Sequence, residues 1–243
     1  MKKNGLIYFI ALSVAAVVKV YGSTADSDLL AWILTPVAWW VTSLSGISFQ
    51  YASHVGYVSH AYRFIIAPSC AGVRFLLLTF LMLVFSFTHL LRTSRSKALW
   101  LAFSAGFSYI TTILINGIRI TISIYLPEFL VKNALMPKWL TAGGLHTMIG
   151  TTVYFSFLFV IYFLAGKVCT NFFGVSCGIK SVQHRKKIGS PVFWYVVMVL
   201  VIPFLGRLYH NEWNGFGQYV LIVTGICAVI VLFLALITRR AEA

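Results

Sequence analysis

Six long apolar runs constrain what this chain can fold into. They fall at about 5–22, 72–91, 98–118, 146–166, 190–206 and 217–238, each near the roughly 17–25 residues a helix needs to cross a bilayer. Backbone N–H and C=O groups find no water in hydrocarbon, so such runs must close their own hydrogen bonds as helices. The chain is 60% hydrophobic and 10% charged over 243 residues, which is too apolar for a soluble domain. The expected fold is an all-α polytopic membrane protein with about six transmembrane helices. No repeat, linker or low-complexity tract divides it, so residues 1–243 are read as one membrane-embedded domain.

Charge sets the expected topology. The formal net charge is +14, but the basic residues stand at the ends of apolar runs rather than along one soluble face, which argues against a nucleic-acid partner. Four clusters stand out: Lys2 and Lys3; Arg92, Arg95 and Lys97; Lys167, Lys180, Arg185, Lys186 and Lys187; and Arg239 with Arg240. The positive-inside rule puts all four in the cytoplasm, with Asp26, Asp28, Glu128 and Glu212 in the complementary connections. The basic "HRKK" beside a membrane helix also reads as a contact for anionic lipid. Both termini are then cytoplasmic, which requires an even number of crossings. The seventh apolar run, 29–46, therefore should not cross. Pro36 and the tryptophans 32, 39 and 40 fit a bent helix that is interfacial or re-entrant. The first run resembles a signal peptide behind Met1-Lys2-Lys3, but no clear small-residue cleavage site follows it, so it is read as a retained anchor.

Between Ile47 and Ser69 the chain alternates in part, is rich in Tyr, Val, Ile and Phe, and carries Gly56 near its middle, which predicts a short extracytoplasmic β-hairpin. Of the four cysteines, Cys169, Cys177 and Cys227 read as apolar filler without a pairing framework. His54, His60 and His210 lack close spacing or a local carboxylate, so neither a metal site nor any cofactor is expected.

The topology delivers three chemically distinct groups to one boundary of the bilayer. Cys70, in "APSCAGVRF", precedes the second span; Arg119 closes the third in "NGIR"; His146 opens the fourth after "TAGGL". A thiol at a helix start, with the Arg74 cation at i+4, is expected to be a good nucleophile. His146 suits the acid/base of Cys/His acyl transfer, and the fixed fork of Arg119 suits an oxyanion or carboxylate. Asn116 shares a helical face with Arg119 and is expected to orient it or to donate a second hydrogen bond. Taken singly, each has an ordinary structural explanation: apolar filler, a snorkelling anchor, a hydrogen-bonded imidazole. Their conjunction at one depth is harder to explain so, because ionisable groups at membrane level are costly.

"SCAG" at Ser69–Gly72, "NGIRI" at Asn116–Ile120 and "LHTMIG" at Leu145–Gly150 resemble, in that order, the three signature segments of the exosortase and archaeosortase transpeptidases, most of all the exosortase K type. The resemblance covers the middle of the chain, from the hairpin to the fourth span. It implies a cysteine peptidase and transpeptidase of the bacterial inner membrane whose site faces the extracytoplasmic side. Cys70 would be the nucleophile, Arg119 the stabiliser and His146 the acid/base, with Ser69 in a supporting place. Implied partners are secreted proteins with a C-terminal sorting signal (a short motif such as Pro-Glu-Pro, a transmembrane helix, a basic tail), an amine-bearing, glycan or lipid acceptor, and membrane lipid. One departure is Ala71, where many relatives carry Ser. The competing expectation is a small transporter or channel with an anion path lined by Arg74 and Arg119, against which the spans lack the paired broken helices and repeats of transporter folds.

Overall fold

A computed structural model describes residues 4–133, 141–173, 184–210, 213 and 215–240. Lys2, Lys3, Pro137, Cys177, Lys180 and Glu212 lie outside the described residues, as do the side chains of Arg185, Lys186, Lys187, His210, Arg239 and Arg240.

The protein is a helical, polytopic membrane protein. Its helices are α1 (Gly5–Thr24), α2 (Ala31–Ser45), α3 (Val73–Phe87), α4 (Ser94–Lys132), α5 (Ala142–Phe173), α6 (His184–Val196), α7 (Ile202–His210) and α8 (Phe216–Arg240), with a π-helical stretch, Val197–Val201, joining α6 to α7. Six segments are long and apolar enough to span a bilayer: 5–24, 68–90, 94–132, 143–172, 189–209 and 216–236. They fall on the six runs of the sequence, except that the third continues through Pro127 to Lys132, so Arg119 lies inside α4 instead of closing it. The fifth is not one regular helix, because Pro203 withholds an N–H from the ladder at the π-helical stretch.

The 29–46 run forms α2, 15 residues long and short of a spanning length. It lies along the second half of α4 and runs in the same direction. The Tyr109 hydroxyl donates to the Trp32 carbonyl at 2.7 Å, the Trp40 indole to Leu114 at 3.1 Å, and the Tyr125 hydroxyl to Ser45 at 2.9 Å. Gly117 permits this approach, since a Cβ there would collide with the Trp40 ring. The α1 helix runs the same way: at one end Lys97 Nζ of α4 donates to Asn4 at 2.5 Å, and at the other Gly22 packs on Val73 at the start of α3. Since α1 and α2 share a direction, α2 adds no return crossing.

The segment after α2 is a three-stranded antiparallel sheet rather than a hairpin: β1 (Gln50–Ala52), β2 (Gly56–Ser59) and β3 (Phe64–Ile66), in the order β1-β2-β3. Tyr51 faces Tyr57, and Val58 faces Ile65. Gly56 is not the turn residue. It begins β2 at φ +119°, and a Cβ there would strike the Ile66 carbonyl oxygen, so the pairing with β3 requires glycine. The tight turns use His54 (φ 60°) and Arg63 (φ 49°) instead.

Three apolar clusters hold the bundle. The largest joins α3, α4, α5, α6 and α8 through Phe75, Trp100, Phe155 and Leu158. A second joins α2, the sheet and α4. The third seats α1 on α3. Cys169 is buried in the first cluster and Cys227 packs against it, as apolar filler would, and no disulfide forms among the described residues.

Candidate functional site

Cys70 is not the first residue of α3. It ends a separate 3-10 turn, Pro68–Cys70, which Ala67 enters in extended conformation as the residue before a proline must. The turn is closed by the Cys70 amide on the Ala67 carbonyl (2.8 Å) and the Ala71 amide on Pro68 (3.1 Å). Gly72 then takes a left-handed conformation, φ +77°, and caps α3. A side chain there is doubly excluded: the conformation disfavours one, and its Cβ would sit 3.0 Å from Asn116 Nδ2. The left-handed break also undoes the i, i+4 relation expected between Cys70 and Arg74, because that relation requires continuous helix. Arg74 is exposed and its charge acts on Tyr219 of α8 instead. Ser69 is exposed on the turn, while Ala71 is fully buried in the cluster against which Cys70 packs.

Arg119 lies on α4, 22 positions beyond Lys97, a rise of roughly 33 Å at 1.5 Å per residue. It is 8% exposed, and its Nε and Nη2 have no hydrogen-bond partner among the described residues. Its guanidinium carbon stands 5.6 Å from the centre of the Tyr154 ring, within cation–π range. Gly150 leaves room for it, since a Cβ there would stand 4.0 Å from Arg119 Cδ. His146, Gly150 and Tyr154 fall at i, i+4 and i+8 on α5 and so share one helical face. His146 is exposed as the fifth residue of that helix, within electrostatic range of Arg119.

Asn116 does not bond Arg119. It is fully buried, and its Nδ2 donates to the Cys70 carbonyl at 2.5 Å while its Oδ1 accepts from the Tyr154 hydroxyl at 2.6 Å. The amide thus ties the thiol-bearing turn, α4 and α5 into one network. Tyr154 in turn stacks on Phe75 of α3 with ring centres 4.4 Å apart. Tyr154 is the residue that the sequence reading missed: a tyrosine inside an apolar run reads as core. Its signal was the eight-residue spacing from His146.

A second polar cluster sits at the same end of the bundle. His54 Nδ1 lies 2.8 Å from Asp26 and 3.4 Å from Asp28, so the expectation that this histidine lacks a local carboxylate is corrected. The partners are remote in sequence and meet only when the β1–β2 turn folds onto the α1–α2 connection. Asp28 also accepts from the Tyr51 hydroxyl, Ser53 Oγ (2.8 Å) and the His54 amide (3.1 Å). One ligand atom from each of Asp26, Asp28 and His54 lies within 4.8 Å of the others, the spacing of a small cation cage. The three side chains are exposed and already spend their charges on one another, so the cluster acts as a clasp between segments. Those bonds hold both carboxyls below the usual carboxylate range: the Leu29 amide, ahead of His54, on Asp26, and the Tyr51 hydroxyl, ahead of the His54 amide and Ser53, on Asp28. The Asp26 hydrogen bond, with the charges of both carboxylates, raises His54 above its ordinary value.

Comparison with known proteins yields no matching family model, no matching curated protein and no matching solved structure.

Proposed function

We propose that the chain is a membrane cysteine transpeptidase that cleaves C-terminal sorting signals of secreted proteins. The observation that carries the reading is the Arg119 guanidinium, buried with two unpartnered donors in a site shared with the Cys70 turn and His146. A buried cation is costly to leave unpaired, and a peptide oxyanion or carboxylate supplies what its donors need.

The chemistry follows from the groups present. Cys70 Sγ attacks the scissile carbonyl carbon and His146 takes the thiol proton. The charge that develops on the carbonyl oxygen is met by the guanidinium N–H groups of Arg119. Collapse of the tetrahedral species breaks the C–N bond, and His146 returns the proton to the leaving amine. This leaves an acyl thioester on Cys70. An acceptor amine, or water, then attacks the thioester carbon, transfers its proton to His146 and releases the thiolate, which is reprotonated. On this reading the site faces the extracytoplasmic side of a bacterial inner membrane with both termini cytoplasmic, in keeping with the positive-inside distribution of lysine and arginine. The anion-path alternative has less support: Arg74 is exposed and acts on Tyr219 of α8, whereas Arg119 is buried against Tyr154 of α5.

The test is co-expression with a secreted reporter carrying a C-terminal motif, a transmembrane helix and a basic tail. Cys70→Ala is expected to abolish processing while the protein stays in the membrane at the wild-type level. Undiminished processing by that variant removes the assignment.

A further inference from the structure

The hydrogen-bond inventory of the Asn116 amide gives Tyr154 a task that packing alone does not explain. The Cys70 carbonyl can only accept, so the amide nitrogen must face it and the amide oxygen must face α5. The oxygen can only accept, so the Tyr154 hydroxyl must donate to it. Without that donor the amide has no reason to prefer the orientation that serves Cys70. The same side chain offers its ring to Arg119, while the face stacked on Phe75 ties it to α3. One residue thereby fixes the spacing of the thiol turn and the guanidinium.

We infer that Tyr154 is a positioning residue of the transpeptidase centre: its hydroxyl orients Asn116, and hence the Cys70 turn, and its ring seats Arg119. This rests on the reading of that centre given above. The two arms are separable by substitution. Tyr154→Phe keeps the ring for Arg119 and Phe75 but deletes the donor. Tyr154→Leu deletes both.

The experiment uses the full chain in lipid nanodiscs with a synthetic tailed peptide, together with hydrogen exchange of the same samples. Tyr154→Phe should lower kcat about tenfold, the size of one buried hydrogen bond, with KM within about twofold of wild type. Exchange at the Cys70 and Ala71 amides should quicken, while the rest of α3 and α5 stays as in wild type. Tyr154→Leu should lower kcat about a hundredfold and raise KM as well, because Arg119 loses its platform. The inference is overturned if Tyr154→Phe leaves kcat unchanged, if kcat falls without faster exchange in the turn, or if exchange rises throughout α3 and α5, which would mark a general packing role. Should wild-type protein cleave no tailed peptide, the transpeptidase reading fails. The exchange pattern still decides whether Tyr154 holds the Cys70 turn.

Discussion

Two proline sites in the helices, at Pro36 and Pro203, and the pocket of Arg119 treat polar atoms in opposite ways. Pro36 withholds an N–H from the Trp32 carbonyl, and Tyr109 of α4 supplies a hydroxyl at 2.7 Å. Pro203 does the same to Val199, and Tyr219 of α8 supplies a hydroxyl at 2.7 Å. At these two sites a tyrosine from a neighbouring helix supplies the donor where lipid offers no water. At Arg119 the fold places a tyrosine too, but one whose hydroxyl donates to Asn116 while its ring faces the cation. Two guanidinium nitrogens are left without an acceptor among the described residues. Among the same residues Thr79, Thr88 and Ser104 also carry buried hydroxyls without a partner, but a neutral hydroxyl costs about 1–3 kcal/mol and a guanidinium more. The contrast teaches that the unpartnered cation is no general looseness in the packing, and an open guanidinium is what the proposed oxyanion-binding role of Arg119 needs.

The largest effect that would break this contrast comes from Arg119→Met. It should lower processing at least about a hundredfold, as loss of an oxyanion donor does. It should also raise the thermal midpoint of the purified protein by a few degrees, since an apolar side chain carries no unpaired charge. A fall in both quantities would show that the guanidinium is structural. Tyr109→Phe sharpens the other side. It should lower stability by about 1–3 kcal/mol, read as a drop in thermal midpoint, because the Trp32 carbonyl is left without a donor, while kcat per folded molecule stays near wild type.

The smallest effect concerns the clasp. Its carboxylates have depressed values, so their contribution is present above about pH 4 and is lost as pH falls through the folded values. His54 has a raised value, so its contribution is present below about pH 6.5 and is lost as pH rises through the folded value. Protection of the β1–β2 amides against hydrogen exchange should therefore be greatest between about pH 4 and 6.5. In His54→Ala the decline above that window should vanish.

Much of this was legible in the chain because membrane helices announce themselves by length and hydropathy. The α2 helix was readable as non-crossing from Pro36, its tryptophans and the parity of the basic loops. The third strand was not, because its turn uses Arg63 in a left-handed conformation and carries none of the Asn-Gly or Gly-rich signals that mark hairpins. Helical spacing misplaced Arg74 relative to Cys70 because nothing local says that Gly72 will turn left-handed. That choice is imposed by Asn116, 44 positions away, whose amide occupies the place of a Cβ. The His54 pairings and the Tyr154 bond are likewise long-range, and spacing rules read only neighbours. Cys70, Asn116, Arg119 and His146 could be named from sequence, whereas Tyr154 carried only its eight-residue spacing from His146 as a signal, and its bond to Asn116 lies beyond local rules.

The left-handed Gly72 leaves a soft joint between the thiol and the helix that follows it, while the side chain of Asn116 is a stiff tether to a different helix. The sulfur thus rides with α4 and not with α3, its nearest neighbour along the backbone. A tilt of α3 as the bilayer thins or thickens would be absorbed at the glycine, leaving thiol and guanidinium in step because the Cys70 turn is tied to the rod that carries Arg119.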